Sequence, residues 1–133
     1  KIQITKLLSY SKKIITELDH IGVLAVEFFM VKDDILVNEI APRVHNSGHW
    51  TIDACDVSQF EQHIICVSGK KITPPVIHKN AHMVNLIGDE INEWLIKEST
   101  EDTKIHLYNK KEVKNGRKMG HVTHLFSKDH CFE

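Results

Sequence analysis

The chain has 133 residues, of which 41% are hydrophobic and 26% charged, so it can bury a core in one domain or two small ones. Seventeen basic and eighteen acidic residues leave a net charge of −1, which argues against a general binder of nucleic acid or membrane surfaces. The three cysteines, Cys55, Cys66 and Cys131, include no Cys-x-x-Cys pair. We therefore expect neither a disulfide framework nor a zinc ribbon, and a cytoplasmic location fits best.

The first predicted elements are a helix and a β-hairpin. Apolar residues recur at helical spacing over residues 3–19 and predict an amphipathic helix whose apolar face covers a sheet. Two segments rich in Val, Ile and Phe, near residues 23–31 and 35–41, predict the strands of a hairpin that Pro42 ends.

Glu27 and Glu39 stand in opposite arms of this apolar hairpin. A three-residue loop at residues 32–34 would place Phe29 opposite Val37 and Glu27 directly opposite Glu39. Like charges at that distance repel, and ionising Glu27 between apolar neighbours without a counter-charge would be costly. The pair therefore suits Mg²⁺, which binds a few carboxylates together with substrate phosphates. A two-residue loop is the alternative, and it would shift the register and put the two carboxylates on different faces.

The segment after the hairpin is dense in polar side chains. Residues 43–50, Arg-Val-His-Asn-Ser-Gly-His-Trp, have no periodicity and predict a loop of the kind that carries function. Ser58 to Glu61 forms a capping-box pattern that opens a helix through Val67, with Gly69 as its C-terminal cap.

Thr73-Pro74-Pro75 breaks the pattern and divides the chain into predicted domains of residues 1–75 and 76–133. Short apolar runs make the second domain β-rich, and they lie at residues 82–87, 104–108 and 119–126.

Residues 108–121 concentrate five basic side chains around the turn signal Asn115-Gly116. In a chain of near-zero net charge, this is either a phosphate site or an ordinary solvated hairpin tip.

Ten histidines also raise a zinc alternative, through the pairs His45 with His49 and His121 with His124. No carboxylate or cysteine completes either pair at the usual spacing, so zinc is less favoured.

Several of these motifs occur together, in order, in one known family. They are Glu27, Asn38-Glu39, residues 43–51, residues 58–63, residues 83–88 and residues 116–121. With them the chain closely resembles 5-(carboxyamino)imidazole ribonucleotide synthetase, the ATPase subunit of phosphoribosylaminoimidazole carboxylase and an ATP-grasp ligase of purine biosynthesis. The family's N-terminal domain and the first half of its ATP-grasp module have no counterpart here, so we expect a C-terminal part that is inactive alone.

The resemblance implies an α+β fold, in which the C-terminal half of an ATP-grasp domain, an antiparallel sheet with helices, precedes a small β-rich C-terminal domain. It implies that ATP phosphorylates bicarbonate to carboxyphosphate, which then carboxylates the amine of 5-aminoimidazole ribonucleotide. Glu27 and Glu39 would hold Mg²⁺, and Asn38 and Glu39 would belong to the ATP site.

The resemblance also assigns residues to the two other substrates. Arg43, His45 and Asn46 would bind bicarbonate and carboxyphosphate. The 5′-phosphate of the ribonucleotide would be held by Lys110, Arg117 and Lys118, with Lys111 as a rival for Lys110. It further implies a homodimer for the full-length enzyme.

Two alternatives stay open beside the ligase. The chain could be a non-catalytic nucleotide- or phosphate-binding module derived from the ATP-grasp fold. A different ATP-grasp carboxylase, such as biotin carboxylase, is a lesser rival, because residues 43–50 and the basic segment near residue 117 match the first family better.

Overall fold

A computed structural model of the chain describes residues 4–32 and 34–129. In chain order the elements are α1 (Ile4–Glu17), β1 (Ala25–Val31), β2 (Asp34–Ala41), a 3₁₀ turn (Asn46–Gly48), α2 (Thr51–Ala54), α3 (Gln59–Val67), β3 (Asn80–Ile87), a 3₁₀ helix (Gly88–Glu93), β4 (Thr103–Leu107) and β5 (Lys118–Phe126). Helices and separate antiparallel sheets make the α+β fold that the sequence predicts. Within the described residues, no helix is long and apolar enough to cross a membrane.

The chain forms two compact units. The first contains the described residues up to Gly48 together with Gln59–Pro74, and the second contains His49–Ser58 and the described residues from Pro75 onward. The division after Pro74 falls at the proline pair that suggested a boundary. Residues 49–58, however, lie in the second unit and not in the predicted first domain of residues 1–75.

The loop of the hairpin is shorter than predicted. Val31 pairs with Asp34, so two residues and not three connect β1 to β2, and Asp33 itself lies outside the described residues. Phe29 consequently pairs with Leu36, one residue before its predicted partner. The three-residue loop was wrong, and this register, continued unchanged, would have put the two glutamates on different faces.

A β-bulge restores the predicted pair of carboxylates. Phe28 still pairs with Val37, but Glu27 pairs with Glu39, which leaves Asn38 as the extra residue. One extra residue reverses the alternation of faces, so it compensates for the residue missing from the loop. Glu27 and Glu39 thus lie opposite each other, as predicted, for a reason that was not predicted.

Helix α1 occupies the predicted segment but buries none of its residues. Tyr10 contacts Phe28 of β1, with ring centroids 6.5 Å apart, while Ile4 and Leu8 are each 65% exposed. In the described part of this chain its apolar face is therefore only partly covered, since Leu7 and Ile15 are half-buried.

Helix α3 and its C-terminal cap follow the prediction. Gly69 has a left-handed φ of +68°, and the amide of Lys70 donates to the carbonyl of Ile65 while that of Gly69 donates to Cys66. These two bonds form a Schellman motif, which glycine favours. His63 of this helix contacts the segment that precedes β1, since its Nδ1 accepts a hydrogen bond from the amide of Val23 at 3.2 Å.

The second unit contains an antiparallel sheet in the order β3-β5-β4, close to the three predicted strand segments. Its central strand, β5, supplies half of the buried apolar residues described in this unit. They are Met119, Val122 and Leu125 of β5, with Ala54, Leu86 and Ile91 from elsewhere in the unit.

Candidate functional site

The carboxylates of β1 and β2 lie beside one histidine of the following loop. His45 Nε2 is 3.7 Å from Glu27 Oε1 and 3.7 Å from Glu39 Oε1. The amide nitrogen of Asn38 donates to Glu27 Oε2 at 3.3 Å. Four predicted site residues, two of them on β2 at the bulge, are thereby brought together in the first unit.

Hydrogen bonds to Ser47 determine how the imidazole of His45 faces the carboxylates. The amide of Ser47 donates to His45 Nδ1 at 3.3 Å, and the Ser47 hydroxyl lies 2.8 Å from the same nitrogen. Because Nδ1 accepts, the neutral ring carries its proton on Nε2. In that tautomer the Nε2–H of His45 lies on the side of the two carboxylates, 3.7 Å from an oxygen of each, which is an ion-pair distance and not a hydrogen bond.

Gln59, at the start of α3, fixes the backbone of the same loop. Its Oε1 accepts from the amide of His45 at 2.9 Å, and its Nε2 donates to the carbonyl of His45 at 2.7 Å. Gln59 is only 8% exposed. A Cβ on Gly48 would lie 2.6 Å from Gln59 Oε1, so glycine is needed for this close approach. The role of Gln59 could not be predicted from the sequence, where its only signal is a polar residue in the first turn of a helix.

Arg43 and Asn46 are the other two predicted residues of the loop. The guanidinium of Arg43 is exposed, and its Nη1 donates to the carbonyl of Val44 at 2.8 Å. Asn46 is half-buried and begins the 3₁₀ turn.

The donor set at β1 and β2 fits Mg²⁺. It offers solvent-accessible carboxylate oxygens on adjacent strands, and Mg²⁺ is usually bound by one or two carboxylates together with substrate phosphates. The side chains of Glu27 and Glu39 are 41% and 49% exposed. Both carboxylates are therefore open to solvent, although apolar residues flank Glu27 in the sequence.

The predicted phosphate site lies in the second unit, on the segment that connects β4 to β5. The Lys110 ammonium lies 5.4 Å from the ring centroid of Tyr108 and donates to the carbonyl of Lys118. Arg117 and Lys118 are exposed, whereas Lys110 is half-buried.

The tip of this segment is fixed to the rest of the unit. The amide of Gly88 donates to the carbonyl of Arg117 at 2.9 Å. Gly88 has a φ of +55°, and a Cβ there would lie 3.4 Å from the backbone of Asn115. The backbone of Arg117 is therefore held by a hydrogen bond to Gly88, whereas the tip of an ordinary solvated hairpin has no such contact.

A cluster of polar rings, unpredicted as a group, lies on the same sheet. His106 of β4 pairs with His121 of β5, and their rings stack with centroids 4.5 Å apart. Asp53 of α2 accepts from His106 Nε2 at 2.9 Å. Tyr108 completes the cluster, since its hydroxyl lies 2.8 Å from His121 Nδ1.

His121 is the buried centre of this cluster. It is 1% exposed, and its Nε2 has no hydrogen-bond partner among the described residues. Burial, followed by the neighbouring His106 and His49, lowers the pKa of His121 to about 4. His121 is therefore neutral at physiological pH.

Of the two histidine pairs in the zinc alternative, the pair His121 and His124 is not arranged to share one ion. His121 and His124 are three residues apart on β5 and so face opposite sides of the sheet. Asp53, His106 and His121 do offer ligand atoms within 4.8 Å of one another. The two imidazole planes, however, are stacked only 18° from parallel. An ion must lie near the plane of each ring that binds it at about 2.1 Å, and stacked planes cannot meet at one such ion.

Comparison with known proteins finds two family models that match successive parts of the chain. The family model of the ATP-grasp domain matches residues 2–60, and that of the phosphoribosylaminoimidazole carboxylase C-terminal domain matches residues 81–131.

One curated relative and two solved structures illustrate the match. The chain is 49% identical over 116 residues to N5-carboxyaminoimidazole ribonucleotide synthase of Brucella melitensis, covering 86% of this chain and 32% of the relative. It matches the crystal structure of N5-carboxyaminoimidazole synthetase from Staphylococcus aureus with a TM-score of 0.85 and 40% identity, over 94% of this chain and 35% of that one. The Aspergillus clavatus enzyme, solved with ADP and 5-aminoimidazole ribonucleotide, matches with a TM-score of 0.78 and 36% identity, over 91% and 35%.

The chain spans about a third of the length of these relatives. The two family models occur in the order in which the units follow each other, and together they match most of the chain. The chain belongs to the N5-carboxyaminoimidazole ribonucleotide synthase family, as a segment that carries an ATP-grasp match followed by the family's C-terminal domain.

Proposed function

We propose that the full-length protein containing this chain is a ligase that uses ATP and bicarbonate to carboxylate 5-aminoimidazole ribonucleotide. A bicarbonate oxygen attacks the γ-phosphorus of ATP, so that ADP leaves and carboxyphosphate forms. The amine of the ribonucleotide then attacks the carboxyl carbon, the bond from that carbon to the phosphate oxygen breaks, and the nitrogen loses a proton. The products are 5-(carboxyamino)imidazole ribonucleotide, ADP and phosphate. This segment alone carries only part of the catalyst.

The observation that carries the proposal is the arrangement of Glu27, Glu39 and His45 in the unit that matches the ATP-grasp domain. Phosphoryl transfer between two anions depends on neutralising and positioning charge, and needs no protein nucleophile. Glu27 and Glu39 would hold Mg²⁺, which when bound supplies positive charge to neutralise the ATP phosphates. Asn38, through its bond to Glu27, orients that carboxylate at the nucleotide.

Arg43, His45 and Asn46 bind bicarbonate and the carboxyphosphate formed from it. Arginine presents a planar set of donors to an oxyanion. His45 adds its Nε2–H as a further donor. The amide of Ser47 donates to Nδ1, so the ring proton is on Nε2. A donor at this position would stabilise negative charge on the oxyanion. Gln59 holds the His45 backbone in place for this role.

Lys110, Arg117 and Lys118 bind the 5′-phosphate of the ribonucleotide. The half-buried position of Lys110 beside the carbonyl of Lys118 favours it over its exposed rival Lys111. The backbone of Arg117 is supported by Gly88, so its guanidinium starts from a defined point. Two or three cations at one tip give a local anion site in a chain of net charge −1. The ADP and ribonucleotide complex of the Aspergillus clavatus relative supports both ligand classes.

The experiment that tests the function measures phosphate release by the full-length protein with Mg-ATP and bicarbonate, with and without 5-aminoimidazole ribonucleotide. The 133-residue chain is measured in parallel. We expect the full-length protein to release phosphate in a ribonucleotide-dependent manner and the 133-residue chain to show no such release. Release without that dependence, or none at all, would contradict the proposed substrate and favour a binding module or a different carboxylase.

The proposed location and assembly need separate measurements. The described cysteines, Cys55 and Cys66, are both free thiols, which fits a reducing cytoplasm. We expect the full-length protein to be a homodimer, as the family resemblance implies, and sedimentation of the purified protein would test this.

A further inference from the structure

The described part of the second unit contains a continuous chain of contacts that leads from a buried histidine to one proposed phosphate ligand. His121 contacts Tyr108, and Tyr108 contacts Lys110. The family assignment and the proposed function use Lys110 but give no role to Tyr108 or His121.

The ammonium of Lys110 is placed by two contacts. It lies over the ring of Tyr108, with Nζ 5.4 Å from the centroid, which is within the range of a cation–π interaction. It also donates to the carbonyl of Lys118. Lysine is a point charge on a flexible stem, so in the absence of such contacts its position before a phosphate arrives is poorly defined.

Tyr108 is itself fixed at both ends. Its amide donates to the carbonyl of Met119 at 2.9 Å, which extends the β4–β5 ladder by one bond. Its hydroxyl lies 2.8 Å from His121 Nδ1. The next residue, Asn109, has a left-handed φ of +50°, so the chain turns away from the strand directly after the tyrosine. The ring therefore stays with the sheet while the backbone leaves it.

The histidine at the far end has little freedom to move. His121 is 1% exposed and stacks on His106 at 4.5 Å, and a second ring, that of His49, lies 5.2 Å away. His106 is tied by Nε2 to Asp53, whose side chain is 8% exposed. The buried stack thus gives the hydroxyl of Tyr108 a fixed partner.

We propose that Tyr108 is a positioning residue for Lys110, and that His121 holds the Tyr108 ring where it places the lysine ammonium for the 5′-phosphate of the substrate. This inference rests on the proposed function of the same site. A positioning role predicts that Tyr108 contributes to binding of the phosphate group and to nothing else. It also predicts that the contribution disappears when Lys110 is absent.

The test compares KM values of the full-length enzyme for 5-aminoimidazole ribonucleotide, for the riboside that lacks the 5′-phosphate, and for ATP. Tyr108→Leu removes the ring, and we expect it to raise KM for the ribonucleotide about two- to fivefold, as loss of an exposed cation–π contact would. KM for the riboside and for ATP should not change. Tyr108→Phe keeps the ring but removes its bond to His121, and it should raise the same KM by a smaller factor.

Two further variants separate positioning from a structural effect. In a Lys110→Ala background, Tyr108→Leu should add nothing, because the group that it positions is gone. Lys114→Ala removes an exposed lysine of the same tip that pairs with Glu112, and it serves as the matched control with no expected change.

Each outcome decides one point. If Tyr108→Leu raises all three KM values alike, or adds its full effect to Lys110→Ala, the positioning role is overturned. If Tyr108→Phe equals the wild type, the role of His121 is overturned. Arg117→Ala, measured in the same way, reports on the proposed function. If it leaves KM for the ribonucleotide unchanged, the phosphate site itself is misplaced, whatever Tyr108 does.

Discussion

A substitution of Glu39 is the most direct test of the proposed cation site. It lies opposite Glu27, and His45 Nε2 is 3.7 Å from its Oε1. We expect Glu39→Gln in the full-length protein to abolish ADP formation, since the amide cannot replace a carboxylate ligand. Stability should change by less than about 1 kcal/mol, because relief of repulsion from Glu27 offsets loss of the contact with His45.

The measurements for Glu39→Gln are ADP formation and thermal unfolding, with the exposed Glu61→Gln of α3 as a control of the same chemistry. Full activity of Glu39→Gln would remove Glu39 from the proposed ligands. Loss of activity with a large fall in melting temperature would point to a structural role instead.

Arg117 tests the proposed phosphate site at the same scale. Its side chain is exposed while its backbone is bonded to Gly88. Arg117→Ala should therefore leave folding intact and raise KM for 5-aminoimidazole ribonucleotide, with little effect on KM for ATP. Steady-state kinetics with each substrate varied in turn would measure both values. A selective loss of ATP affinity would reassign the residue to the nucleotide.

At the scale of elements, the loop after β2 depends on the start of α3. Gly48 is packed against the side chain of Gln59, with space for no Cβ. We expect Gly48→Ala to displace Gln59 and to weaken its two bonds to His45. Each buried group left unpaired costs about 1–3 kcal/mol. Urea unfolding would show the loss of stability, and phosphate release would show the loss of activity.

A double-variant cycle isolates this contact between the loop and the helix. Gln59→Ala alone should also destabilise the protein, because it leaves the His45 amide and carbonyl without partners. Once Gln59 is shortened, adding Gly48→Ala should cost little more, since the clash is gone. Fully additive effects would show that the two residues act independently.

The β1–β2 hairpin shows how far its elements could be predicted. The apolar runs were enough to predict two strands, because β-branched and aromatic residues are enriched in strands. The loop length and the bulge at Asn38 were not predictable, since each depends on the other: a two-residue loop requires an extra residue to keep Glu27 opposite Glu39. The predicted pair of carboxylates was right because two errors of one residue cancelled.

At the scale of the whole molecule, some residues of the two units could be identified from the sequence and others could not. Asn38, Glu39, Arg43, His45 and Asn46 are neighbours in sequence, so one short string displays them together. The cluster of Asp53, His106 and His121 is assembled from α2, β4 and β5, and no local pattern joins these positions. Strand register decides that His106 meets His121. Such tertiary contacts follow from topology, which the sequence predicted only as a β-rich domain.

The buried His121 makes stability depend on pH. Burial, His106 and His49 lower its pKa from 6.5 to about 4, while Asp53 acts weakly in the opposite direction. Between pH 6.5 and 4, His121 is therefore protonated in the unfolded chain but neutral in the folded chain. The free energy of unfolding falls as the pH drops from 6.5 toward 4, and this group does not change it above pH 6.5. For this group the loss at pH 5 is about 2 kcal/mol. Urea unfolding at pH 7.5, 6 and 5 would measure it. His121→Gln should flatten the dependence, whereas His78→Gln, at an exposed position, should preserve it; equal slopes in both variants would mean that another group controls the acid sensitivity.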